Sequence, residues 1–481
     1  MTDTAQHSPA TDPALLDALR EHVQGALPTT IADLSALVRL PSVSWSAFDP
    51  ANVRASAEAV ADLARSTGVF ADDAVRIVRS AVSGDTADAE STGGELGQPA
   101  VLAVRPARNG KPTVMLYAHH DVQPQGDDAL WETPPFEPTL RGDRLYGRGA
   151  SDDKAGVMTH IASLRAVHAQ FGDDLDLGVV LFVEGEEEFG SRSFRTFLRE
   201  QKEHLAADVI VVADSDNWST EVPSITVSLR GNVTFKLTLT TLEHASHSGM
   251  FGGAAPDAMI PMVRLLASLH DDDGSVAVEG LTSYDAPVPA RSEDELASDA
   301  ALLPGVRPVG RGDVLSRMWF QPSITVTGMD VPSVANASNT LLPTVSARVS
   351  VRVAPGQDAS EAAAAVERHL REHVPFGAQI ELTEPDAGDG FLVDTAGWAV
   401  QEARTAMREG WGNDAVEQGI GGSIPFVSDL AAEFPEAQIL VTGVEDPDTR
   451  AHSPNESQHL GVLHRAIASE TILLARLATR G

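Results

Sequence analysis

Four short apolar runs constrain this chain most: 101–104, 114–117, 177–183 and 209–213 are strand-length, and each is bounded by polar or glycine-rich segments. Between the second and third, Val157, Ile161 and Leu164 fall on one face of a helix. Such alternation predicts an α/β sheet with both faces covered. The 439–441 run adds a further strand and 460–477 a long amphipathic helix, and both belong with this first part. Nearer the start, Leu15, Leu16 and Leu19 recur at helical spacing, as do Ile31, Leu34, Leu37 and Val38 in a second run stopped by Pro41. The polar stretch 83–98 reads as a surface loop.

The middle of the chain has another texture. Val233, Phe235, Leu237 and Leu239 alternate with Thr234, Lys236 and Thr238, the period of a half-exposed strand. A helix over 256–269, a second alternating strand over 345–353, an alanine-rich helix over 359–370 and a strand at 380–382 follow. Strand and helix pairs of this kind pack as an antiparallel sheet with helices on one face. We therefore expect a second domain at 229–386, inserted in a first one formed by 1–228 and 387–481. A length of 481 residues suits such a division.

Thirty-five basic residues against 69 acidic ones give a formal charge of -34, spread over the whole length. Nucleic acid and anionic membranes are therefore poor partners, so none is expected, and most of the acids read as a solvated surface. The chain has no cysteine, so a tightly held metal must use imidazole and carboxylate. No stretch approaches the roughly 20 apolar residues that span a bilayer. The leader MTDTAQHSPATDP has neither the basic segment nor the apolar run of a secretory signal, which leads us to expect a cytoplasmic protein.

Five polar motifs follow the apolar runs. YAHHDVQP (117–124) places an imidazole at a strand end with a carboxylate two residues on, so that His119 can bind a metal while Asp121 holds its other ring nitrogen. YGRGASDDKAG (146–156) is a glycine-rich turn into a helix, where adjacent carboxylates can simply cap backbone donors or one can bridge two metals; on local grounds Asp152 and Asp153 both remain open for that role. FVEGEEEFGS (182–191) crowds three glutamates beside a buried strand, which is costly without a cation and allows one to bind metal while its neighbour moves a proton. In DVIVVADSDNW (208–218) Asp214 ends the strand and Asp216 lies two residues out, and RAHSPNES (450–457) carries His452. Two imidazoles and three carboxylates suit zinc, manganese or cobalt and not calcium.

Together these segments resemble the large metallopeptidase family M20 of aminoacylases, carboxypeptidase G and carnosinases, most of all its cytosolic nonspecific dipeptidase branch. The resemblance runs from the helix before Pro41 to the final helix. It implies a zinc-peptidase-like catalytic domain with a mixed central sheet and an inserted α+β, ferredoxin-like lid and dimerisation domain. It also implies two divalent ions per subunit, most often Zn2+, with Mn2+ or Co2+ as substitutes. By the same resemblance His119, Asp152 and Asp214 hold one ion and Asp152, Glu188 and His452 the other, with Asp121 supporting His119. Glu187 is implied as general base, and a cis peptide often follows the bridging aspartate.

In the middle region HSGMFGG (247–253) resembles the lid motif whose histidine, here His247, reaches into the partner's site in a homodimer. Asn339, Thr340 and Ser423 are implied as substrate contacts, and Arg352 as the grip on the substrate carboxylate. QGIGGSIP departs from the family pattern, because Gly419 and Ile420 stand where relatives carry Arg-Glu, and the histidine of some animal relatives near 385–400 is not evident. The implied activity is hydrolysis of small dipeptides. An N-acyl-amino-acid or carbamoyl amide hydrolase on the same centre, or a non-catalytic metal-binding protein, are the competing expectations.

Overall fold

The computed structural model describes residues 10–82, 94–421 and 425–480. Most of the expected 83–98 loop, and Ser423, lie outside them. The chain divides into two compact units: Met1–Thr226 with Val393–Gln418 and Asp429–Gly481, and Val227–Leu392 with Gly419–Ser428.

The first unit is built on a mixed sheet. Four strands run parallel in the spatial order Gly178–Glu184, Thr113–His119, Val209–Val212 and Gln438–Thr442, and antiparallel strands flank them: Ala100–Arg105 and Val75–Val78 beyond one side, Ser224–Leu229 beyond the other. Burial on both faces explains why the parallel strands read as continuous apolar runs rather than alternating ones. The helices Lys154–Phe171, Pro13–Val38 and Leu460–Thr479 pack against one another, and Trp398–Trp411 packs on the last.

One expectation is corrected. The two helical runs near the start form a single 26-residue helix, Pro13–Val38, that continues through Pro28. Pro28 removes one backbone hydrogen bond, but Leu19, Val23, Thr30, Leu34, Leu37 and Val38 are all buried, and this continuous stripe holds both halves to the same surface. No helix of the described residues is long and apolar enough to cross a membrane.

The second unit is a four-stranded antiparallel sheet in the order Ser323–Asp330, Thr344–Val353, Gly231–Thr240, Gln379–Gly388. With the helices Met259–Ala267 and Ala359–His373 the chain order is β-α-β-β-α-β. Val233, Phe235, Leu237 and Leu239 meet Val345, Ala347, Val349 and Val351 in one core, joined by Met262, Leu265, Val366 and Leu370 from the helices. The strand Ser323–Asp330 is absent from the sequence expectations: Ile324 and Val326 alternate with Ser323, Thr325 and Thr327, but over only a few residues, and most of its side chains are exposed.

Candidate metal centre

Sites in α/β folds gather where parallel strands end. His119 is the last residue of its strand and Glu184 the last of the neighbouring one, and the two are paired in register. Gly185 makes the next turn possible: a Cβ there would come within 2.3 Å of the Pro99 carbonyl oxygen.

The three glutamates that follow take different paths. Glu186 accepts from the Ser193 amide at 2.8 Å and the Gln98 amide at 3.1 Å, so it is tied into the loop. Glu188 accepts from the Gln123 amide at 3.1 Å and its side-chain nitrogen at 2.6 Å. Glu187 lies with Oε2 3.9 Å from His119 Nε2 and keeps a fifth of its side chain exposed.

Asp121 organises this turn as well as the histidine. Its carboxylate accepts from the Glu187 and Glu188 amides at 3.1 and 3.2 Å and from the Ser44 hydroxyl at 2.7 Å, and it lies 3.4 Å from His119 Nδ1. With Nδ1 so engaged, His119 Nε2 points to Asp152 Oδ1 at 3.2 Å and Asp214 Oδ1 at 4.0 Å. His120 turns away, its Nε2 at 2.9 Å from the Pro99 carbonyl oxygen, and burial lowers its pKa to about 4.

The two adjacent aspartates separate cleanly. The peptide between Asp152 and Asp153 is cis. Asp153 caps the following helix through Gly156 N at 3.2 Å and accepts from the His119 amide at 3.1 Å. Asp152 instead presents its second oxygen, Oδ2, to His452 Nε2 at 2.9 Å. His452 also lies 3.3 Å from Glu188 Oε2. Asp214 and Asp216 separate as well: Asp216 forms a backbone bridge with Glu445, whose side chain hydrogen-bonds to it.

The result is two groups of donor atoms, each within 4.8 Å: His119, Asp152 and Asp214, and Asp152, Glu188 and His452. They share Asp152, and Glu187 belongs to neither. Burial pushes Glu187 well above the usual carboxylate range, Glu188 to about 7 and Asp214 to about 6. Burial also opposes ionisation of Asp152, but hydrogen bonds from His119 and His452 outweigh it and hold that carboxyl low. Hydrogen bonds to Asp152 and Glu188 raise His452 to about 10. Without a cation, the charge of the cluster is therefore balanced by protons on carboxyls and imidazoles. Divalent ions fit such a donor set because they replace those protons with a larger charge at the same place.

In the second unit, three expected residues stand together. His247 pairs with Thr340 across a short ladder, and Ser248 N donates to the Asn339 carbonyl oxygen at 2.9 Å. His247 Nδ1 accepts from Gly249 N at 3.0 Å. Arg352 is elsewhere, opposite Asn232 and Ser323 near the end of its strand. The sequence reading did not single out Ser44 or Gln123, which act only through contacts that fold together in space. Gln123 stands inside the YAHHDVQP motif, and that placement was the available signal.

A mixed sheet whose parallel strand ends carry two carboxylate and histidine triples with a shared aspartate defines a two-metal hydrolase centre. The chain belongs to the peptidase family M20/M25/M40, which matches residues 115–476. It is similar to a cysteinylglycine-S-conjugate dipeptidase of Corynebacterium striatum, 35% identical over 380 residues that cover 78% of this chain and 83% of that protein. It is also similar to the Beta-Ala-His dipeptidase of Homo sapiens, 29% identical over 382 residues covering 76% of this chain and 73% of that one. The crystal structure of human carnosine dipeptidase 1 has the same fold, with a TM-score of 0.75 at 22% identity over 98% of this chain and all of that one.

Proposed function

We propose that this protein is a metal-dependent dipeptidase in which His119, Asp152 and Asp214 hold one ion, Asp152, Glu188 and His452 hold the other, and Glu187 is the general base. The observation that carries this reading is the position of Glu187: it lies beside the shared centre, within 3.9 Å of His119, yet outside both donor groups. Divalent ions held there, most readily Zn2+ with Mn2+ or Co2+ as substitutes, would supply Lewis acidity and acidify a water. Glu187 would accept a proton from the attacking water and give it to the leaving amine. The carboxyl suits the task because it lies beside both donor groups without belonging to either. Asp121 keeps the histidine and the glutamate turn in register through the contacts described above.

From the second unit we assign Arg352 to the substrate carboxylate, and His247, Asn339 and Thr340 to further substrate contacts, with Ser423 assigned on resemblance alone. Small substrates follow from recognition of both ends. The His247–Thr340 pair belongs to a short two-stranded ladder separate from the four-stranded sheet that carries Arg352. The resemblance of HSGMFGG to a lid motif whose histidine enters the partner's site supports a homodimer in which His247 serves the partner's substrate. The exposed Ile260 and Val263, on one helix of the unit, are apolar surface that such a dimer would cover.

Two experiments test this reading. Metal-stripped protein reloaded with Zn2+, Mn2+ or Co2+ is expected to cleave unmodified dipeptides and to lose activity when their α-amino group is acylated. Preference for the acylated compounds would replace the dipeptidase assignment with an acylase one. Mixing His247→Ala with Glu187→Gln protein is expected to restore up to about a quarter of wild-type activity, since statistical mixing leaves half of all dimers hybrid and each hybrid holds one intact shared site. Absence of complementation in verified hybrids would remove the shared-site proposal.

A further inference from the structure

Outside the two donor groups, Glu456 is a fully buried charge of the first unit whose carboxylate meets four donors. It lies four residues after His452, on the same loop. Its Oε1 accepts from the Ser151 amide at 3.0 Å and the Asp152 amide at 3.2 Å. Its Oε2 accepts from the Gly149 amide at 3.1 Å and Arg148 Nη1 at 2.6 Å. The Glu456 carbonyl oxygen accepts from Gly147 N at 3.0 Å, and the strand Ser457–His459 then pairs with Arg144–Tyr146. One side chain therefore gathers three backbone amides of the turn that leads into the shared aspartate, that of Asp152 among them, and one guanidinium nitrogen.

We propose that Glu456 is a positioning residue of the two-metal centre, fixing the Asp152 carboxylate relative to His452. The inference rests on the reading that Asp152 and His452 hold metal. The physical basis is geometric. Asp152 faces His119 with one oxygen and His452 with the other, so a small rotation of its backbone detunes both donor groups at once. The Asp152 amide is held by a carboxylate from the loop that carries His452, so the two loops move as one body. A buried carboxylate surrounded by four donors has no acceptor role to spare, and charge-assisted bonds of this kind are the strong ones. Arg148 balances its charge, with its guanidinium over the Trp131 ring at 5.5 Å.

The test compares wild type, Glu456→Gln and Glu456→Asp. Glutamine keeps the size but turns one oxygen into a donor facing donors. Aspartate keeps the charge and withdraws it by about 1.5 Å, the length of one carbon–carbon bond. Folding of each metal-free variant is followed by circular dichroism, Co2+ and Zn2+ affinity by chelator competition, and site geometry by the Co2+ absorption spectrum. Wild type is expected to bind two Co2+ per subunit. Glu456→Gln is expected to bind Co2+ about 10- to 100-fold more weakly, with a shifted spectrum and a fall in kcat at nearly unchanged KM. Glu456→Asp is expected to show the same changes in smaller measure.

A folded Glu456→Gln protein with wild-type affinity, spectrum and kcat overturns the proposal. Loss of folding in both metal-free variants also overturns it, assigning Glu456 to stability alone. Failure of wild type to bind two Co2+ overturns the ligand assignment itself and is read separately from the variants.

Discussion

Glu187→Gln is expected to lower kcat about a thousandfold while both metal ions stay bound, the size of effect that a positioned general base supplies. The amide is nearly isosteric with the carboxylate but cannot accept the proton. Metal content should hold because Glu187 contributes to neither donor group. The turn should also hold, because it is the Glu187 backbone amide, not the side chain, that donates to Asp121. Glu188→Gln is the contrast one residue away: it removes an anionic donor from one group and should cost a metal ion as well as turnover. Single-turnover kinetics and elemental analysis of the same preparations distinguish the two outcomes, and near-normal turnover in Glu187→Gln would place the base elsewhere.

The second large effect is expected at Asp152. Asp152→Ala should take metal content from two ions per subunit towards none, with activity falling at least as far as in Glu187→Gln, because this is the one residue that both donor groups contain. Asp214→Ala and His452→Ala should each release chiefly one ion. The neighbouring Asp153 gives the sharpest control. Its oxygens are spent on Gly156 N and His119 N, so Asp153→Ala should show first as lost stability, about 1 kcal/mol or more from the cap alone. Titration with Co2+ and thermal unfolding of the metal-free variants measure both quantities. Retention of two ions by Asp152→Ala would sink the bridging assignment.

Much of the fold was legible because its signals are local. The parallel strands are buried on both faces and so appear as short apolar runs. The alternation at 233–239 and 345–353 appears because one face of the second sheet carries Phe235, Leu237 and Val349 into a core while the other carries Thr234, Lys236 and Arg348. The strand Ser323–Asp330 and the continuity of the first helix through Pro28 were not legible. The alternation of Ile324 and Val326 with threonines is too short to stand out beside a long polar stretch, and a proline breaks a pattern that tertiary burial then restores.

The same division runs through the site. By itself the sequence determined the chemistry available: no thiolate, with imidazole and carboxylate in polar segments that follow apolar strands, and family resemblance supplying the expected roles. It left Asp152 beside Asp153 and Asp214 beside Asp216 as chemical equals, and separating the second pair needed the spacing of a known family. Only the tertiary structure distinguishes their contacts, because a carboxylate's role depends on which donors its oxygens meet. Asp153 meets two backbone amides and Asp216 faces Glu445, whereas Asp152 and Asp214 face the imidazole of His119. Glu456 shows the same limit: its burial against the turn before Asp152 joins residues about 300 positions apart, and no local pattern records that meeting.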